Sequence, residues 1–77
     1  RFEPLTALVA ANQGLADLDH IVTTSRQHLL PGGWLLVEHG WTQGEAVRAL
    51  FTRAGYAAVE TCRDYGGNER LTLGQWS

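Results

Sequence analysis

The sequence contains no methionine and no lysine, and it has a single cysteine. Because no residue in it could start translation, we expect these 77 residues to be part of a longer protein. The absence of lysine excludes Schiff-base catalysis and the lysine of a phosphate-binding P-loop. Cys62 alone cannot form a disulfide within the chain, which favours a reducing, cytoplasmic compartment.

Long hydrophobic runs and a strong charge are also missing. No apolar run reaches the roughly 18 residues that a membrane-spanning helix needs, so we expect no membrane association. The six basic residues are scattered, and the formal net charge is −2. This weakly acidic balance argues against direct nucleic-acid binding. The 44% hydrophobic content is typical of a folded chain, although one of this size buries only about 60% of its unfolded surface.

Hydrophobic periodicity predicts helices in the first part of the chain. The segment from Pro4 to Val9 is typical of a short helix that ends before Asn12. Apolar residues then recur at three- and four-residue spacing over Leu15–Leu29, which predicts an amphipathic helix of about four turns. The turn formers at 31–33 end this helix and reverse the chain.

The second part of the chain predicts a strand, a helix and a hairpin. Trp34–Val37 is a continuous apolar run of strand length, of the kind that is covered on both faces. Thr42 and Glu45 have the spacing of a capping box, so we expect Thr42 to cap a helix. That helix should end at Gly55 in the left-handed conformation. Turn-forming residues at 64–68 then separate two strand-like segments, which predicts an antiparallel hairpin.

Glu38 and His39 follow the buried strand, where α/β sheets usually bind ligands. His39 fits two interpretations, a catalytic base or a loop histidine that orients the turn from Glu38 to Trp41, and we favour the second. Glu38 is either a half-buried functional carboxylate or an acceptor of hydrogen bonds from backbone N–H groups near Thr42 and Gln43. Trp41 is the tryptophan that we expect to touch a ligand or partner, if any does.

The other histidines, the paired glycines and the cysteine give weaker evidence of a binding or catalytic site. His20 and His28 are eight residues apart, whereas ligand pairs on a helix need about three or four, so we expect no metal site. Gly32-Gly33 and Gly66-Gly67 lack the spacing of a phosphate-binding loop and predict turns. Cys62 has no base beside it in sequence, and we interpret it as a buried structural thiol. No residue is therefore assigned to catalysis or cofactor binding.

Four blocks of the sequence carry a pattern more specific than any single motif. They are Arg1-Phe2-Glu3-Pro4-Leu5-Thr6-Ala7-Leu8, Pro31-Gly32-Gly33-Trp34-Leu35, Glu38-His39-Gly40-Trp41-Thr42-Gln43-Gly44-Glu45 and Arg63-Asp64-Tyr65-Gly66-Gly67-Asn68-Glu69-Arg70. In this order and spacing they resemble the C-terminal part of the HemK/PrmC family. The blocks cover nearly the whole chain, and the Glu-His-Gly block is not a feature of methyltransferases in general.

The resemblance implies an S-adenosylmethionine-dependent methyltransferase. Its substrate would be the glutamine side-chain amide in the Gly-Gly-Gln loop of class-1 peptide release factors, which act in translation termination. The implied fold is α/β, a Rossmann-like class I methyltransferase sheet, with residues 1–77 as a C-terminal fragment of the catalytic domain. Trp34–Glu38 would be its fifth strand, Val59–Arg63 its sixth, and Arg70–Trp76 an antiparallel seventh.

The residues that bind cofactor and substrate in this family precede the first block. The Gly-rich turn, the acidic ribose ligand and the Asn-Pro-Pro-Tyr loop have no counterpart in the sequence, so the cofactor-binding half is absent. We therefore expect the fragment alone to be inactive and to bind no S-adenosylmethionine. The resemblance leaves a supporting, substrate-side role for Glu3, Pro4, Glu38 and His39.

The resemblance also implies that the strand before Trp34–Glu38 is missing. The open strand edge predicts that the isolated fragment self-associates. Two other functions stay open at this point, an independent binding or scaffold module and another class I methyltransferase. A native start codon just before Arg1 would support the binding module, whereas upstream coding sequence with Asn-Pro-Pro-Tyr would exclude it.

Overall fold

Six elements are formed by residues 6–9 and 14–76, which the computed structural model describes. They are, in chain order, β1 (Thr6–Val9), α1 (Leu15–Ser25), β2 (Trp34–Glu38), α2 (Gly44–Ala54), β3 (Ala57–Arg63) and β4 (Glu69–Gln75). The strands form one mixed sheet in the order β1-β2-β4-β3. β1 is parallel to β2, and β4 is antiparallel to both of its neighbours. The α/β class, the apolar strand and the hairpin are confirmed.

The segment that was predicted as a first short helix forms a strand instead. Its start lies outside the described residues, but Thr6–Val9 pairs in register with Trp34–Val37. A helix this short is marginal in water, and Thr6 and Val9 are β-branched residues that favour extended backbone. The edge of β2 offers backbone partners to the extended form. The predicted open edge of β2 is therefore wrong, because β2 is paired on both sides.

The helix α1 is shorter than its apolar pattern predicts. It ends at Ser25 after 11 residues, whereas the pattern continues to Leu29. The Thr24 hydroxyl donates to the carbonyl of His20 at 2.8 Å, and the Gln27 N–H donates back to the Thr24 carbonyl at 3.1 Å. Hydroxyl side chains of this kind compete with the helical hydrogen-bond ladder. The chain therefore leaves the helix about one turn early.

The core lies between the two helices and the face of β2 that carries Leu35 and Val37. Its fully buried apolar side chains are Leu18, Val22, Leu35, Val37, Val47 and Phe51. Tyr56 closes the core, and its hydroxyl donates to the Val22 carbonyl at 3.0 Å. Burial raises the pKa of the Tyr56 phenol, an effect that the nearby Arg26 opposes.

The helix α2 ends as predicted. Gly55 has a φ of 99° and caps the helix in the left-handed conformation, which glycine adopts without steric cost. Neither of the described helices is long and apolar enough to cross a membrane. The position of α2 matters for the site below, because its first turn packs at the end of the sheet where β2 stops.

Candidate functional site

One end of the sheet carries a cavity with polar side chains around it. β2 ends at Glu38, whose register partner in β4 is Leu71, and the His39 N–H donates to the Arg70 carbonyl at 2.9 Å. A cavity of about 350 Å³, here called the rim cavity, is lined by Glu38, His39, Arg70 and Leu71. It lies at the carboxyl end of β2, where α/β sheets bind ligands.

His39 is buried, and both of its ring nitrogens have hydrogen-bond partners. Only 2% of its surface is exposed. Nδ1 lies 2.8 Å from the carbonyl oxygen of Gly40, and Nε2 lies 2.8 Å from Oγ1 of Thr72. A carbonyl oxygen can only accept, so Nδ1 carries a proton, and in the corresponding neutral tautomer Nε2 accepts the Thr72 hydroxyl proton. This geometry favours the interpretation of His39 as the residue that orients the turn.

A polar relay, here called the His39 relay, extends from His39 across the hairpin to α2. The hydroxyl of the buried Thr72 lies 2.9 Å from that of Thr61. Arg48 Nη1 donates to Thr61 Oγ1 at 2.9 Å. Thr72 has a single hydroxyl proton, which it donates to His39, so it must accept from Thr61. Thr61 accepts in turn from Arg48, which can only donate. The buried polar groups of the relay are then satisfied, as buried polar groups must be.

Glu69 holds the helix end of this relay. Its Oε1 lies 3.3 Å from Nη1 of Arg48, and its Oε2 lies 3.5 Å from Nη2 of Arg63. The carboxylate also lies against Gly44, where a Cβ would collide with it. A carboxylate beside the first turn of a helix is stabilised by the helix dipole. Because the arginines are partly exposed, we assign these ion pairs a positioning role more than a large share of the stability.

The turn at residues 40–43 sets the start of α2. The Gln43 N–H donates to the Gly40 carbonyl at 3.0 Å, and the Gly40 N–H donates to Gln43 Oε1 at 2.8 Å. The helix begins at Gly44 with Gln43 as its N-cap residue, and Thr42 is exposed. The predicted capping box of Thr42 and Glu45 is therefore wrong, because the reciprocal bonds place the helix start one residue later.

We expect Gln43→Ala to lower the free energy of unfolding by about 1 kcal/mol, because the Gly40 N–H loses its acceptor. Thr42→Ala is the matched control and should change that free energy by less than about 0.5 kcal/mol. Chemical denaturation of the two variants measures both values. A larger loss in Thr42→Ala than in Gln43→Ala would contradict this assignment of the helix start.

Glu38 is exposed, so its interpretation as a half-buried carboxylate is wrong. In the turn that follows, the Gly40 N–H donates to Gln43 Oε1 and not to Glu38. Glu38 lines the rim cavity together with Arg70, whose Nε donates to Asp64 Oδ2 at 3.1 Å. The backbone N–H of Asn68 and the Arg70 guanidinium lower the pKa of the Asp64 carboxyl from its ordinary value. The hairpin loop is thereby tied to the cavity wall.

The remaining predicted residues lie elsewhere. Glu3 and Pro4 are outside the described residues. His20 and His28 are exposed, and the described part of the chain holds no cluster of His, Cys, Asp and Glu side chains that could bind a metal. Cys62 is exposed on β3, so its prediction as a buried thiol is wrong. The physical reason is that β3 is an outer strand of the sheet, where most side chains face solvent.

The two glycine pairs form turns and Trp41 is accessible, as the sequence predicts. Gly32 and Gly67 have φ values of 87° and 83°, so both pairs form turns. Trp41 lies in the turn at 40–43 and is 60% exposed. Its side chain is therefore accessible at the same end of the sheet as the rim cavity.

Sequence reasoning missed six residues of the site: Arg48, Thr61, Glu69, Arg70, Leu71 and Thr72. A signal for two of them was present, because Thr61 and Thr72 lie at similar distances from the turn formers at 64–68. Cross-strand threonines in a hairpin bond to each other, and these two are register partners. Nothing in the local sequence pairs Arg48 with them, since 13 residues separate it from Thr61.

Comparison with known proteins gives close relatives. No family model matches the chain. Over 77 residues the chain is 66% identical to the release factor glutamine methyltransferase of Salmonella typhimurium, and over 76 residues it is 67% identical to that of Escherichia coli. It is 56% identical over 77 residues to the protein of the same name from Yersinia pestis.

The matches include the whole chain but only part of each relative. The chain spans 28% of the Salmonella typhimurium protein, 27% of the Escherichia coli protein and 28% of the Yersinia pestis protein. Because this identity extends over the whole chain, the resemblance to the C-terminal part of the HemK/PrmC family is confirmed, and the chain is similar throughout to release factor glutamine methyltransferases.

Proposed function

We propose that these residues are part of an enzyme that transfers a methyl group from S-adenosylmethionine to a glutamine side-chain amide. The substrate is the Gly-Gly-Gln loop of class-1 peptide release factors, in cytoplasmic translation termination. The observation that carries the proposal is the 66% identity over all 77 residues with the Salmonella typhimurium protein of that name. The antiparallel β4 supports a Rossmann-like class I methyltransferase sheet, in which the seventh strand is expected to be antiparallel.

The rim cavity is the part of this segment that we assign to the substrate side. An amide nitrogen is a poor nucleophile because its lone pair is delocalised, so the enzyme must hold it in line with the methyl group and bond its polar atoms. Glu38 lines the cavity as a hydrogen-bond acceptor, and His39 fixes the turn behind it. We propose supporting roles for both, and for Glu3 and Pro4, and no catalytic role for any of them.

The segment alone is proposed to be inactive and to bind no S-adenosylmethionine. The family's Gly-rich turn, acidic ribose ligand and Asn-Pro-Pro-Tyr loop have no counterpart among its residues. In the isolated segment, β1 and β3 are the outer strands of the described sheet. Unpaired strand edges are templates for pairing with another chain, so we propose that the segment self-associates, which sedimentation at micromolar concentration tests.

A chimera tests the proposed function. The 77 residues replace the matching segment of the Salmonella typhimurium relative, and transfer of a labelled methyl group to a release factor is measured. We expect the chimera to retain the relative's rate to within about tenfold, a barrier change of about 1.4 kcal/mol. A release factor whose loop glutamine is replaced by alanine is the control and should receive no label.

The isolated segment is the second arm of this experiment. It should transfer no methyl group, and calorimetric titration should detect no saturable S-adenosylmethionine binding tighter than about 1 mM, or about −4 kcal/mol. A folded chimera that transfers no methyl group would contradict the proposed activity. Methyl transfer by the isolated segment would contradict the proposal that the segment alone is inactive.

A further inference from the structure

We propose that Trp41 and Tyr65, together with the rim cavity at the same end of the sheet, form the surface on which the polypeptide substrate docks. The occupant is a protein loop that presents a glutamine side chain. This proposal rests on the proposed function and adds to it the residues that determine which polypeptide is accepted. Four observations support it: the position of the two loops, the exposure of their aromatic side chains, the hydrogen bonds that hold the loops, and the chemistry of the cavity.

Strand register places both loops at one end of the sheet. Glu38 ends β2 opposite Leu71, close to the start of the antiparallel β4. The turn at 40–43 follows β2 directly, and the loop at 64–68 directly precedes β4. Both segments therefore emerge at the end of the sheet where the rim cavity lies.

Both exposed aromatic side chains of the described residues lie in these two segments. Trp41 is 60% exposed, and Tyr65 is fully exposed. The other strongly exposed large apolar side chains in the described part of the chain are leucines: Leu8, Leu15 and Leu30. Single exposed apolar residues are normal on a protein surface. Two exposed aromatics at the same end of the sheet as a cavity lined by an arginine, however, have the composition of a binding hot spot.

The two loops are held before any ligand arrives. The Asp64 carboxylate accepts from the backbone N–H groups of Gly66 and Asn68 at 2.9 and 3.0 Å. On the other side, Gly40 is held by the ring of His39 and by the side chain of Gln43. Loops fixed in this way lose less conformational entropy when a partner binds, which favours affinity.

The rim cavity fits a peptide better than an anion. Glu38 supplies carboxylate acceptors, and Arg70 supplies guanidinium donors in addition to the Nε–H that binds Asp64. A glutamine side chain and a peptide backbone each present N–H donors and carbonyl acceptors, so both find partners here. The exposed carboxylate of Glu38 in this cavity would repel the phosphates of a nucleic acid.

The test uses the full-length chimera described above, with Trp41→Ala and Tyr65→Ala as single variants. Release-factor binding is measured by direct titration, and KM and kcat by methyl transfer. We expect each variant to raise both the release-factor Kd and its KM by about tenfold. kcat should stay within about threefold and the KM for S-adenosylmethionine should be unchanged, because neither residue is proposed to touch the reacting atoms.

Leu30→Ala is the matched control. Leu30 is 60% exposed, like Trp41, but it precedes β2 and so lies at the other end of the sheet. Its replacement should leave the release-factor Kd unchanged. If both aromatic variants also bind release factor as tightly as the unsubstituted chimera, the docking surface is overturned. Titration needs no turnover, so a chimera that binds release factor without methylating it would instead overturn the proposed function.

Discussion

Gly74→Ala should lower the free energy of unfolding by about 1–3 kcal/mol, although it adds only a methyl group. Gly74 is buried in β4 opposite Leu35. A Cβ at this position would lie 2.5 Å from Cδ2 of Phe51 and 3.0 Å from Cβ of Tyr56. Phe51 is fully buried, so its ring cannot turn aside without displacing the rest of the core. Protein interiors are packed too densely to absorb that displacement.

Gly66→Ala is the matched control for this substitution. A Cβ at Gly66 would lie 3.4 Å from Nδ2 of Asn68, in an exposed loop. The free energy of unfolding should therefore change by less than about 0.5 kcal/mol. Chemical denaturation of both variants gives the comparison. Equal stability of the two variants would mean that the space between β4 and α2 is wider than the structure has it.

Thr72→Val should cost about 1–3 kcal/mol of unfolding free energy, because it leaves buried polar groups without partners. The substitution keeps the shape of the side chain and removes the hydroxyl that joins His39 to Thr61. Nε2 of His39 then loses its donor, on a side chain that is only 2% exposed. The loss should also loosen the turn at Gly40 that His39 holds.

Thr72→Ser separates the effect of the hydroxyl from that of the methyl group, because serine keeps the hydroxyl and lacks the methyl. It should cost about 1 kcal/mol for the lost methyl and leave the relay intact. Ring ¹⁵N chemical shifts of His39 give a second readout, and they should report a proton on Nδ1 in the parent chain and in Thr72→Ser. A proton on Nε2 in the parent chain would contradict the direction of the relay.

Much of the fold follows from local sequence. The apolar run that became β2 is buried at Leu35, Leu36 and Val37, as a strand covered on both faces must be. The turn formers at 64–68 predicted the hairpin, and Gly55 predicted the end of α2. These features depend on residues that are neighbours in sequence, so local chemistry is enough to place them.

The features that sequence missed depend on contacts between distant segments. β1 exists because β2 offers it an edge, and no local pattern could show that. In β4, Thr72 and Gly74 are buried while Leu71 and Leu73 are only half-buried, so the alternating leucines do not mark the core face. The small Gly74 makes room for the ring of Phe51, and Thr72 joins the His39 relay. Tertiary packing thus overrides the apparent alternation.

The position of β2 inside the sheet determines where Glu38, His39 and the rim cavity lie. Amide hydrogen exchange of the chain, followed residue by residue, tests that position most directly. Since successive amides of a strand point to opposite neighbours, a strand paired on both sides protects all of them. We predict that the amides of Leu35, Leu36 and Val37 all exchange as slowly as the most protected amides of β4. Exchange of every second β2 amide as fast as those of the loop at 64–68 would mean that one edge of β2 is open, and would contradict the account.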